Sequence, residues 1–203
     1  MDFVAYDLET TGIDSETEAI VEIGAVRFMD GRPQSGFGTL VDPARPIPKE
    51  ATEVNHITDD MVAGKPPIEA VLGRFTNYCG DMPLVAHNAK FDFKFLLKAY
   101  QTHKIPAPTG VNLDSFTLAK TVLRGLPNYR LETLIRYYKI PATTFHRAEE
   151  DAAYCGKVFQ RILDALKVGG HPIHPRSLSE LTGKKPLQFP LIEQELAEQL
   201  GLF

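Results

Sequence analysis

A chain of 203 residues carrying 22 Lys and Arg against 26 Asp and Glu, for a formal net charge of -4 and a pI near 5.9, is long enough for one domain with a full core plus an appendage. That balance argues against a protein that grips nucleic acid along many phosphates, because such binding rests on clustered Lys and Arg. The start shows neither a charged segment leading into an apolar one nor a run of membrane length, so secretion and membrane spanning are not expected, and Cys79 and Cys155, isolated and without metal-like spacing, are expected as buried reduced thiols of a cytoplasmic protein.

In chain order, three strands are expected first, at residues 3–8, 20–29 and 37–41, with the turn signal Asp30-Gly31-Arg32-Pro33 between the second and third. A Pro-rich crossing with short helices leads to a helix at 67–79. Strand 84–86, helix 91–100, strand 111–114 and helix 115–123 then alternate as in an α/β unit, and helices at 131–138 and 147–168 complete the domain. Residues 169–177 read as a linker and 183–186 as a second break. The stretch 191–200 is helix-capable, with Ile192, Leu196 and Leu200 one turn apart. Hairpins followed by β–α alternation predict an α/β fold with a mixed five-stranded sheet flanked by helices. Two units are expected, a domain at 1–168 and a linker and tail at 169–203.

The chemistry is concentrated in three places. In Phe3-Val4-Ala5-Tyr6-Asp7-Leu8-Glu9-Thr10-Thr11-Gly12, side chains on a strand alternate between faces, so Asp7 and Glu9 share one face while Leu8 takes the other. Paired carboxylates beside apolar residues are costly unless a cation offsets their desolvation and repulsion, and hard divalent metals with oxygen ligands suit that task. His87-Asn88-Ala89-Lys90-Phe91-Asp92 follows the apolar run 83–86 and places Asp92 in the first turn of the next helix. His146-Arg147-Ala148-Glu149-Glu150-Asp151 places Asp151 near the start of the last long helix. His146 and Asp151 are five residues apart, about 140° around a helix, so His146 belongs on the preceding loop. An Asp in a first turn is commonly just a partner for the helix dipole, and a lone His before a helix is commonly solvated. Their occurrence in this order outweighs those readings.

Asp7, Glu9, Asp92 and Asp151, with His146, resemble residue by residue the motif of the DEDDh, or DnaQ-like, 3'-5' exonucleases. The resemblance spans about residues 1–168, where 54–58, 113–115 and 128–131 also look like family landmarks, and is nearest to the epsilon-type proofreading subunits and domains of bacterial replicative polymerases. It implies a ribonuclease H-like fold and two Mg2+ ions, with Mn2+ able to substitute. Asp7 would bridge both ions, Glu9 and Asp151 would bind the ion on the water side, Asp92 would hold the second, and His146 would act as general base. The same resemblance places Thr10, Thr11, Gly12, Ile13, His56, Asn88 and Phe91 around a single-stranded or frayed 3' DNA end. It also implies a replicative polymerase as partner.

The end of the chain, Gln199-Leu200-Gly201-Leu202-Phe203, is similar to the pentapeptide Q-L-x-L-F by which bacterial proteins bind the sliding clamp, with Gln199, Leu200, Leu202 and Phe203 as candidate contacts. An acidic domain that holds DNA weakly would gain processivity from such a tether. The alternative for this segment is an amphipathic terminal helix on the protein's own core. For the whole chain, the alternatives are a stand-alone DNA repair or RNA exonuclease and, in a different class, a non-catalytic polymerase or clamp scaffold.

Overall fold

The computed structural model describes residues 1–142 and 147–190. Its centre is a five-stranded sheet in the order β3-β2-β1-β4-β5, built from β1 (Phe3–Thr10), β2 (Ile20–Met29), β3 (Arg32–Leu40), β4 (Leu84–Ala86) and β5 (Asn112–Asp114). β1, β2 and β3 pair antiparallel with one another in sequence, and β4 and β5 run parallel to β1. The sheet is therefore mixed, as expected. The third strand begins five residues earlier than the sequence predicts. Asp30 and Gly31 alone make the turn, with φ of 49° and 74°, as a two-residue hairpin requires at both central positions. Pro33 is tolerated because β3 is an edge strand, and Pro33, Gly36 and Gly38 hide the alternation that would reveal it.

Helices α1 (Lys49–Asn55), α2 (Asp59–Val62), α3 (Ile68–Cys79), α4 (Lys90–His103), α5 (Ser115–Val122), α6 (Leu131–Tyr137), α7 (Ala148–Val168) and α8 (Pro175–Thr182) complete the described chain. The two faces of the sheet are buried differently. Val4, Tyr6 and Leu8 of β1 pack with Leu72 and Phe75 of α3 and Leu96 of α4, whereas Phe3 and Ala5 pack with Val26 and Phe28 of β2 and with Val158, Phe159 and Ile162 of α7. This follows from strand alternation: the face that receives Phe3 and Ala5 also receives Asp7 and Glu9. Cys79 and Cys155 are free and buried.

The chain after Val168, expected as a linker, is in part packed structure. His174 and Ser177 form a reciprocal N-terminal cap, Pro175 occupies the first turn, and Leu178 is buried. Leu187 then exchanges backbone hydrogen bonds of 2.7 and 3.2 Å with Asn112 on the outer edge of β5. Phe189 stacks on Phe93 at 4.6 Å and meets Tyr100 edge-on at 5.5 Å. The Gly and Pro residues that suggested a linker delimit these elements instead. The expected helix at 191–200 and the terminal pentapeptide at 199–203 lie outside the described residues.

Candidate active site

Asp7 and Glu9 lie where β1 leaves its apolar surroundings, and their register partners on β2 are Gly24 and Glu22. Helix α7 crosses this face of the sheet. Two glycines set its height: a Cβ at Gly24 would sit 2.0 Å from the backbone of Ala148 and Glu149, and one at Gly156 would sit 2.0 Å from the Phe28 ring. These contacts are eight residues apart on the helix and four on the strand, spans of about 12 and 13 Å, so the helix lies along the strand. Asp151, in its first turn, is thereby delivered to β1, and one oxygen each from Asp7, Glu9 and Asp151 fall within 4.8 Å of one another.

Asp92 is supplied by α4, and its charge acts on Asp7. It is buried in the first turn of α4, where its Oδ1 accepts the Leu8 backbone N–H at 3.2 Å. Strand β4 ends at Ala86, so this carboxylate satisfies a β1 amide near the end of that neighbouring strand. The turn before α4 is organised by Asp114, whose Oδ1 accepts the N–H groups of Asn88 at 3.0 Å, Ala89 at 3.3 Å and Phe116 at 3.1 Å, while Oδ2 accepts the Thr117 hydroxyl at 2.6 Å. The His87 ring bridges Ser115 and the Tyr129 carbonyl, both at 2.9 Å, and burial pushes its pKa down. Leu113-Asp114-Ser115 looks like a family landmark in the sequence, and this task of Asp114 depends on a fold contact that the sequence does not display.

The electrostatics of the cluster are unfavourable for the protein alone. Burial, followed by the charges of Asp92, Glu9, Asp151 and Glu22, raises the Asp7 pKa well above the carboxylate range. Burial and then Asp151, Glu22 and Asp92 push Glu9 to about 8, with Arg147 opposing. Burial also pushes Asp92 to about 7, against the stabilising hydrogen bond from Leu8. Convergent oxygen ligands whose ionisation is resisted by one another fit a hard divalent cation, whose charge offsets that repulsion.

Of the residues expected around a strand end, Ile13, Asn88 and Phe91 come together in a groove of about 330 Å³ that also involves Lys90, Lys94 and Phe95. Ile13 is 89% exposed, and Asn88 holds a left-handed backbone with φ of 69°. Phe91 is half-buried, its ring 5.1 Å from that of Phe95. Thr10, Thr11 and Gly12 form the turn after β1: the Thr10 hydroxyl donates to the Gly12 carbonyl at 2.7 Å, and that of Thr11 accepts from Ala19 N–H at 2.9 Å. His56 is the exposed left-handed C-cap of α1 and is not part of the groove. The neighbouring Asn55 is tied to the site, donating to the Thr10 carbonyl at 3.1 Å. His146 lies outside the described residues.

Residues 4–159 match the family model described as Exonuclease, RNase T. The chain belongs to this exonuclease family. It is 36% identical over 175 residues to DNA polymerase III subunit epsilon of Treponema pallidum (strain Nichols), covering 85% of this chain and 81% of that protein. It is 35% identical over 168 residues to the PolC-type DNA polymerase III of Thermotoga maritima (strain ATCC 43589 / DSM 3109 / JCM 10099 / NBRC 100826 / MSB8), covering 81% of this chain but only 12% of that much longer protein. Among solved structures, exonuclease X in complex with 5' overhanging duplex DNA superposes with a TM-score of 0.71 at 29% identity, covering 89% of this chain and 99% of that one. E. coli exonuclease I in complex with a dT13 oligonucleotide, at 16% identity, shares the fold with a TM-score of 0.72 over 88% of this chain and 45% of that one. The DEDDh, epsilon-like resemblance and the ribonuclease H-like arrangement are thus borne out. No described helix of this exonuclease is long and apolar enough to cross a membrane.

Proposed function

We propose that this exonuclease removes nucleotides from the 3' end of DNA, releasing nucleoside 5'-monophosphates, as the proofreading subunit of a bacterial replicative polymerase. The observation that carries the reading is the convergence of Asp7, Glu9 and Asp151 within 4.8 Å, with buried Asp92 beside them. Two divalent cations, Mg2+ or Mn2+ in its place, would supply Lewis-acid stabilisation of the attacking water and the leaving 3'-oxygen. Asp7 would be shared between them, Glu9 and Asp151 would hold the one that activates water, and Asp92 would hold the second. His146 takes the proton from the water, a task an imidazole can perform. Ile13 and Phe91 bound the terminal base through apolar contact, which is indifferent to base identity and so suits removal of any mispaired end.

The acidic chain needs help to stay on DNA. Residues 199–203 supply it by docking on the sliding clamp in the cytoplasm, and residues of the tail contact the polymerase. Deleting 199–203 abolishes clamp binding while leaving the melting temperature unchanged; retained clamp binding would remove this part of the reading.

A 5'-labelled single strand incubated with Mg2+ is expected to shorten stepwise from its 3' end, faster when a duplex terminus is mispaired, and to stop on chelation. Release from the 5' end, internal cuts or indifference to chelation would overturn the reading. The alternative within the same chemistry is a free-standing repair exonuclease. Co-purification of the full chain with a polymerase subunit separates the two.

A further inference from the structure

Glu22 is the most deeply buried carboxylate on this face of the sheet, 3% exposed, and lies opposite Glu9 in the β1–β2 register. Its charge adds to the repulsion that resists ionisation of both Asp7 and Glu9. An apolar residue would cost less at this position if packing were the only requirement.

Its oxygens are committed elsewhere. Oε1 accepts from Arg147 Nη2 at 2.7 Å and Nε at 3.2 Å, and Oε2 accepts from Arg147 Nε at 3.3 Å and from the Ala148 backbone N–H at 3.0 Å. Arg147 is the N-cap residue of α7 and makes no side-chain cap of its own. The first amide of the helix is therefore satisfied by a carboxylate from the neighbouring strand, which also sits favourably at the positive end of the helix dipole. Directly below, the absence of a Cβ at Gly24 lets the same backbone rest on β2. The Asp151 N–H, bonded to the Arg147 carbonyl at 2.9 Å, is fixed to the seated turn.

We propose that Glu22, paired with Arg147, is a positioning residue of the active site: it seats the first turn of α7 on Gly24 so that Asp151 completes the carboxylate cluster with Asp7 and Glu9. Glu22 itself does not belong to the cluster of converging oxygens, which is formed by the other three acids. The inference rests on the metal-binding reading proposed above.

The test uses the full-length chain and follows direct Mn2+ binding by electron paramagnetic resonance, kcat and KM on single-stranded DNA, and melting temperature. Glu22→Gln keeps the shape but loses the charge-assisted fork to Arg147. It should weaken Mn2+ affinity and lower kcat by about 10- to 100-fold, with KM for DNA little changed. Gly24→Ala, which moves the helix start without altering any charge, should do the same, so the test survives if Glu22→Gln fails to fold. Phe159→Ala, in the buried apolar stretch of α7 beyond the site, should lower melting while leaving Mn2+ affinity intact. Parental Mn2+ affinity and kcat in both Glu22→Gln and Gly24→Ala would overturn the proposal. Asp7→Asn separates the two levels: if it keeps Mn2+ binding, the metal reading itself fails and the inference with it, whereas if it loses Mn2+ and Glu22→Gln does not, the inference alone fails.

Discussion

The two ends of α7 rest on the same two strands and do opposite things. Toward its C-terminus, Gly156 lies against the Phe28 ring, Phe159 meets Phe3 edge-on at 4.9 Å, Phe3 stacks on Phe28 at 4.9 Å, and Ile162, Leu163 and Leu166 are buried. Toward its N-terminus the same helix presses Asp151 onto Asp7 and Glu9, whose pKa values are raised by burial and mutual repulsion. Apolar burial at one end holds together a cluster that would otherwise separate at the other. Stability and function are thus divided along one helix, and substitutions at its two ends should fall into separate classes.

The sharpest contrast is expected from the acids. Asp7→Ala, Glu9→Ala, Asp92→Ala and Asp151→Ala should each lower exonuclease turnover by about 1000-fold, the scale of losing a group that stabilises charge in the transition state. Without metal, the melting temperatures of the Asp7, Glu9 and Asp151 variants should hold or rise, because each deletion relieves repulsion, whereas Asp92→Ala also removes the acceptor of the buried Leu8 amide. Turnover close to the parent's in all four would erase the division. Next in size, His146→Ala should cost about 100-fold and remove the rise of the rate with pH, as the loss of a general base predicts. An unchanged pH profile would place the base elsewhere.

At the other end of the helix, Phe159→Ala should destabilise the fold by about 3–5 kcal/mol, measured by urea unfolding, while kcat at a permissive temperature stays near the parent's. A parallel loss of kcat in the folded variant would show that the ends are not separable. The smallest effect concerns pH. Glu9 has its pKa raised from the ordinary 4.5 to about 8, so the folded metal-free protein binds a proton that the unfolded chain releases. The stability this contributes is complete below about 4.5 and is lost as pH rises toward about 8. Melting of the metal-free protein should therefore decline across that window. Glu9→Gln should flatten the decline, and an equal slope in that variant would assign it to other groups.

Much of this division was legible in the sequence because it is written in side-chain periodicity. The period of two along Phe3 to Glu9 put both acids on one face, and the helical stripe through Ala152, Cys155, Val158, Phe159 and Ile162 announced α7 and placed Asp151 at its start. What escaped was whatever acts through absence or across strands. Gly24 and Gly156 matter because they lack a Cβ, and nothing local distinguishes them from other glycines. Glu22 sits among the apolar residues of β2 as Asp7 sits among those of β1. Its signal was a single acid within the run Ile20 to Phe28, but that its partners are Arg147 and Ala148 depends on a contact between distant parts of the chain. Helix α8 was hidden because flanking Gly and Pro mark the ends of a short helix as readily as a linker. The roles of Ile13 and Phe91 rested on resemblance, whereas the groove that joins them arises from the packing of the β1–β2 turn beside α4.

Calorimetric titration of Mg2+ into the metal-free chain and two variants, one from each end of α7, tests the central claim most directly. The parent and Phe159→Ala should bind Mg2+ with matching affinity, and Asp151→Asn should bind at least about tenfold more weakly. Parental affinity in Asp151→Asn, or loss of affinity in a folded Phe159→Ala, would contradict it.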